Sequence, residues 1–263
     1  MLNLTRRQFL QRLLPDGMVI DRATLLKTGL DRHSIDNLVK SHQLEILAPG
    51  VYSKPESKFK WQGVISSLQS IYQDFTVGGL TAMELQGLVH YLPLSDQKTV
   101  HLYSRSTLPN WALKLLPNVK LIRHTESRLF GKLTENDKNG KNSLDRFTER
   151  YTWKEDNYFL TLSVPERAYL EVLSEVPKTI SFEHADQLMQ GLTNLTPYRL
   201  QELLELCNNV KVCRLFFWFA ERHNYSWLKK LNREKINFGS GKRSLAKGGK
   251  FDQKYQITVP ENL

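Results

Sequence analysis

Apolar side chains recur along this chain with two periods, and the period changes where the elements change. Thr5-Arg-Arg-Gln8 has the form of a capping box, and the helix it opens carries Phe9, Leu10, Leu13 and Leu14 on one side. Pro15-Asp-Gly17 ends that helix. Asp21 is placed to cap a second short helix containing Leu25 and Leu26, and Thr28-Gly29 is a tight turn. Asp31 caps a third helix, to about Ser41, with a buried stripe of Ile35, Leu38 and Val39. Its outward side chains are Arg32, His33, Ser34, Asn37 and Lys40. Two short β-prone runs follow, Leu44 to Leu47 and Val51 to Ser53, with Ala48-Pro-Gly50 as the turn between them. Three helices and a hairpin in the first 60 residues form the winged helix-turn-helix layout.

From Trp61 the helical period is strong: Trp61, Val64, Ile65, Leu68, Ile71 and Tyr72 share one face. Thr81-Ala-Met-Glu84 and Ser163-Val-Pro-Glu166 read as two further capping boxes, the first opening a helix to about Leu88. Strands are expected at 100–103, 119–122, 146–153 and 158–162. Residues 131–143 have no apolar period and read as a flexible loop or hairpin tip. Helices are expected at 165–176, 182–191, 197–207 and 210–223, the last apolar on most sides. A basic, Gly-rich stretch and a final strand, Tyr255 to Val259, close the chain. The fold class is therefore α+β. An N-terminal winged helix-turn-helix domain, residues 1–60, precedes a larger mixed α/β domain, residues 61–263, with a helix-rich C-terminal half.

Composition adds a sign to this picture. The chain has 263 residues, 40% of them hydrophobic, and a net charge of +10. Residues 1–62 carry ten Lys/Arg against six Asp/Glu, 63–150 eleven against eight, 151–228 seven against ten, and 229–263 nine against three. The excess lies at both ends, which points to contact with a polyanion. No run approaches the roughly 18 apolar residues of a membrane span, and the N-terminus lacks the apolar core of a secretory signal. A cytoplasmic protein without membrane contact is expected. Cys207 and Cys213 read as buried thiols; no second Cys/His pair stands near them at zinc spacing, so no metal is implied.

The third helix has what a major-groove reader requires: one face for its scaffold and one of short polar or basic side chains. Arg32, His33 and Ser34 would reach deepest, with Asn37 one turn later. Arg chelates guanine and Asn chelates adenine. Lys40 suits a phosphate. Lys54, Lys58 and Lys60 at the hairpin exit suit backbone or minor-groove contacts, and Arg6 and Arg7 a phosphate. The alternative is a winged helix used only for packing or protein contact, which Asp31 and Asp36 mildly favour.

Other motifs fail their own tests. Gly239-Ser-Gly-Lys-Arg-Ser244 is no phosphate loop: position 236 is Ile where a glycine is needed, and Arg243 replaces the Ser/Thr that would hold magnesium. A mobile basic loop is expected there. Gly78, Gly79 and Gly87 do not form a dinucleotide fingerprint. The seven histidines are scattered; His90, His101 and His124 lie near expected strands. A winged-helix-targeted nuclease would need clustered carboxylates and a lysine. Asp96-Gln-Lys98 and Asp252-Gln-Lys254 offer only isolated pairs. No cofactor is implied.

Four segments in order carry a resemblance: Leu47 to Pro55, Phe75 to Leu92, Val164 to Leu173, and Gly239 to Pro260. Together they resemble the AbiEi antitoxins of bacterial abortive-infection, type IV toxin–antitoxin systems, over almost the whole chain. The resemblance implies a winged helix that binds inverted repeats in double-stranded promoter DNA and represses its own operon. It implies a C-terminal domain that counters a nucleotidyltransferase-type toxin without requiring a stable complex, and no enzymatic activity. No residue of the family's antitoxic function maps by motif, so Lys242, Arg243, Lys247 and Lys250 are expected to carry it on charge alone.

Overall fold

The computed structural model describes residues 4–89, 97–130, 144–154 and 158–263, without the side chains of 4–7 and 154. The expected loop at 131–143, His90 and Asp96 lie outside the described residues. The N-terminal unit runs α1 (Leu4–Leu13), β1 (Val19–Asp21), α2 (Arg22–Lys27), α3 (Arg32–Lys40), β2 (Glu45–Ala48) and β3 (Val51–Ser53), with strand order β1-β3-β2. That is the element order of a winged helix, with one strand, β1, that the sequence pattern did not announce. Three residues are too few to show a period, and their partner lies 30 positions on: Ile20 pairs with Tyr52.

The two aspartates act as expected. Asp21 Oδ1 accepts from the Thr24 amide at 3.0 Å, and Asp31 Oδ1 from the Ser34 amide at 2.6 Å. Leu10, Leu14, Leu25, Ile35 and Leu38 meet in a small core with Ile20 and Tyr52. The three-stranded sheet serves two cores because strand side chains alternate in direction. Ile20 and Tyr52 face the helices of their own unit, while Val19 and Val51 join the main core of the body. The Arg22 amide donates to Gly50 O at 2.8 Å, and its guanidinium to Tyr52 Oη at 2.7 and 2.9 Å. These bonds hold the hairpin tip and its inner strand against the start of α2. Gly50, with φ of 75°, supplies the left-handed turn after Pro49.

The body begins with α4 (Trp61–Tyr72), whose Val64, Ile65 and Leu68 are fully buried. Then come β4 (Thr76–Val77), α5 (Gly79–Leu85), β5 (Lys98–Ser104), α6 (Asn110–Leu115), β6 (Val119–Thr125), α7 (Ser127–Phe130), β7 (Thr148–Lys154) and β8 (Tyr158–Ser163). The strands form one mixed sheet, β6-β5-β4-β8-β7. Strand β4 pairs with β8 only at Val77 and Leu162, and the Gln69 side chain of α4 bonds the Thr161 amide and carbonyl beside it. Four helices complete the body: α8 (Pro165–Glu175), α9 (Phe182–Gly191), α10 (Pro197–Leu206) and α11 (Val210–His223). Every residue from Val212 to Ala220 is buried, so α11 is the centre of the helical half.

The three expected capping boxes are corrected: α1 already includes Leu4, so Thr5 lies inside it rather than at its cap, and α5 and α8 depart from theirs as well. Helix α5 starts at Gly79, with Gly78 as its N-cap. Thr81 lies inside it, and its Oγ1 accepts from the His101 amide at 2.9 Å. Helix α8 is capped by Val164, while Ser163 Oγ donates to Glu171 Oε1 at 3.0 Å. In both cases a distant partner outcompetes the local cap. The basic stretch at the C-terminus is loop only in part, over 239–242 and 245–249. It folds as β9 (Arg243–Ser244), β10 (Lys250–Asp252) and β11 (Ile257–Val259), in the order β10-β11-β9, so the final strand is shorter than expected.

Candidate nucleic-acid interface

Helix α3 presents one face to its core and the other to solvent. Arg32, His33, Asn37 and Lys40 are exposed, and Ser34 is half-buried beside the Asp31 cap. Asp36 is also exposed on this helix. At the exit of the hairpin Lys58 and Lys60 are exposed and Lys54 is half-buried. Arg6 and Arg7 lie in the first turns of α1, where side chains are outside the description. The structure therefore brings the outward side chains of α3 onto one open surface of the N-terminal unit, uncovered by the body.

Glycine fixes how that unit joins the body. A Cβ at Gly63 of α4 would meet Gly17 O at 2.6 Å, and a Cβ at Gly17 would meet Lys58 O at 2.7 Å. The Val19 amide donates to Ser67 Oγ of α4 at 2.8 Å, and Ser67 Oγ donates to Gly63 O. The unit that carries α3 thus sits on a tightly packed junction.

The tail residues fall on a second basic surface. Lys242, Arg243, Lys247 and Lys250 are all exposed. Lys242 Nζ stands 5.1 Å from the Phe251 ring centroid, within cation–π range. This sheet is held down by Arg214 of α11, a residue the sequence pattern had hidden inside an apolar run. Its guanidinium donates to Phe238 O and Gly241 O at 2.7 Å and to Gln256 O at 3.2 Å. Asp252, half of the D-x-K pair, accepts from the Tyr255 amide at 2.8 Å, and Lys254 pairs with Glu221. Both side chains of that pair serve the turn and its neighbour. Among the described residues no group of three His, Cys, Asp or Glu is arranged to hold a metal ion, and no helix is long and apolar enough to cross a membrane.

The segments Gly78–Ala82 and Pro165–Ala168 meet at a buried charge network. Arg167 is 1% exposed. It donates to Glu171 Oε1 at 2.8 Å and to Glu126 Oε1 at 2.7 Å. Glu171 also receives Ser163 Oγ and, at 2.8 Å, the Gly79 amide at the start of α5. Burial pushes the Glu171 carboxyl up, and Arg167 and the Gly79 amide pull the other way. Three donors on its two oxygens are the pattern of an ionised carboxylate. Glu166 accepts from the Thr196 amide at 2.7 Å and pairs with Arg199, fixing the start of α10.

Beside this network a chain runs from Glu175 through His124 to His101. His124 Nδ1 lies 3.4 Å from Glu175 Oε1, and its Nε2 lies 3.0 Å from His101 Nδ1. Burial, with help from His124, holds His101 down at about 4, and the hydrogen bond from His124 holds Glu175 down at about 2. Neither network was legible from spacing, because each joins residues from three or more elements.

Residues 3–94 match the family model described as the AbiEi antitoxin N-terminal domain, a transcriptional regulator, and residues 97–260 match the transcriptional regulator, AbiEi antitoxin, of type IV toxin–antitoxin systems. The chain belongs to the AbiEi antitoxin family. The hydrogen bond from the Gly79 amide to Glu171 thus joins the two matched AbiEi segments, since Gly79 lies in the first and Glu171 in the second. Among solved structures, this AbiEi chain is similar to the crystal structure of the RV2827C protein from Mycobacterium tuberculosis. The identity is 15% and the TM-score 0.51, covering 96% of this chain and 89% of that one. That likeness concerns the fold. No curated protein matches the sequence.

Proposed function

We propose that this AbiEi transcriptional regulator reads its own promoter through α3 and acts as an antitoxin without chemistry of its own. Residues 1–60 are taken as the DNA-binding domain and 61–263 as the antitoxin domain. Arg32, His33, Ser34 and Asn37 enter the major groove; Lys40, Arg6 and Arg7 bind phosphate. Lys54, Lys58 and Lys60 lie along the backbone beside the hairpin. Inverted repeats would take two chains. The observation that carries this reading is the uncovered outer face of α3, with Arg32, His33 and Asn37 exposed and Ile35 and Leu38 anchored below. Asp36 on the same face is a local cost, offset by the cations around it.

The antitoxin part counters a nucleotidyltransferase-type toxin, with Lys242, Arg243, Lys247 and Lys250 as the residues that carry it. Their support is exposure, shared placement on one small sheet and an excess of cations over residues 229–263.

A reporter fused to the chain's own promoter tests the first part. The parent chain should repress it, and Asn37→Ala should restore expression at equal protein level. Repression by Asn37→Ala equal to the parent's would remove α3 from the interface. Co-expression with the neighbouring toxin tests the second part: replacing the four tail cations by Gln should abolish growth rescue while repression persists.

A further inference from the structure

A cleft of about 540 Å³ lies between the N-terminal unit and the body. One wall is formed by Arg12, Leu13 and Ile20, and the other by Ser66, Ile71 and Phe159. This volume falls in the range of drug-sized ligand sites. Seventeen residues line it; none is Asp or Glu, and Arg12 is the single Lys or Arg among them. Arg12 is exposed and has no carboxylate partner among the described residues. A second guanidinium, that of Arg150, stacks 3.6 Å from the centroid of the Phe159 ring at the far wall, and it too is exposed. The hydroxyl of Ser70 and the amide of Gln73 add exposed polar groups along the α4 side.

We propose that this cleft binds a small organic anion, an aromatic or aliphatic body carrying one acidic group. The apolar side chains of both walls take the body. The acidic group meets Arg12, whose forked donors suit a carboxylate or sulfonate. A cationic ligand would find no lining carboxylate. A neutral apolar ligand would press against the Arg12 guanidinium without pairing it. Because Arg12 and Ile20 belong to the N-terminal unit and Ile71 and Phe159 to the body, one bound molecule adds contacts across the junction already bridged by Val19 and Ser67. The site does not depend on the DNA reading, and its test uses no DNA.

The probe is 8-anilinonaphthalene-1-sulfonate, titrated by fluorescence into the folded full-length chain. N-phenyl-1-naphthylamine, the same ring system without the sulfonate, is the neutral control. The cleft predicts saturable binding of one sulfonate probe per chain, with the neutral control about tenfold weaker. Arg12→Gln should weaken the probe by a similar factor. Ser70→Trp, which fills the cleft from an exposed helix position, should abolish saturation while the melting temperature stays unchanged. Absence of saturable binding overturns the proposal. So does binding that is indifferent to the sulfonate, to Arg12→Gln, or to Ser70→Trp.

Discussion

Gly78 has no room for a side chain. A Cβ there would collide with Glu171 Oε2 and with the Tyr103 ring, 2.5 Å from its Cδ2. Gly78→Ala is expected to cost about 3 kcal/mol in urea unfolding, because the atoms it meets belong to a packed core. A loss near zero would mean that α5 and α8 are not in contact there. Arg167→Met should cost about 3–5 kcal/mol in the same measurement, since Glu126 and Glu171 would remain buried without their shared cation. The sequence displayed these residues as two short motifs but not their reason. Gly79 and Glu171 are 92 positions apart, and one hydrogen bond from the Gly79 amide to the Glu171 carboxylate joins them. By contrast, Asp21 and Asp31 were legible as caps, because a cap needs only a partner three residues on.

At the scale of elements, β5, β6 and the end of α8 share the His101–His124–Glu175 chain. A free histidine protonates near 6.5, whereas His101 in the fold does so only at about 4. Between those values the unfolded chain binds more protons. Stability should therefore fall as pH drops from 6.5 towards 4, by up to about 3 kcal/mol from this residue. His101→Gln should flatten that part of the stability–pH curve, and an unchanged slope would place the loss elsewhere. The hairpin makes a different prediction. Lys58 is exposed at its exit, so Lys58→Ala should weaken binding to every DNA sequence alike and reduce the salt slope by about one unit. Most helices were readable from period alone, as in α4, where Val64, Ile65 and Leu68 are buried on one face. Strand β1 and helix α6 were not, since three and six residues cannot display a period. The tail was misread for a related reason. Its glycines and lysines look unstructured locally, and Arg214, from a helix that reads as apolar on most sides, bonds the carbonyls of Phe238 and Gly241 beside them.

At the scale of the molecule, positive charge is gathered at both ends and acidic groups lie between them. The N-terminal excess includes Arg32 and Lys40 of α3, and the C-terminal excess lies on and around a separate sheet, so promoter binding and antitoxic action should separate by mutation. The fit of the N-terminal sheet between two cores has a mechanical consequence. Ile20 and Tyr52 hold it to the core beneath α3 while Val19 and Val51 hold it to the body. No period along β1 or β3 foretold this, because each is only three residues long. The most direct measurement is a fluorescence-anisotropy titration, at one fixed salt concentration, of the parent and of Arg32→Ala/Asn37→Ala on the chain's own promoter and on a shuffled duplex. Reading through α3 predicts that the variant loses about 1–3 kcal/mol per base contact on the promoter and almost nothing on the shuffled duplex. Equal affinities of variant and parent on the promoter would contradict it.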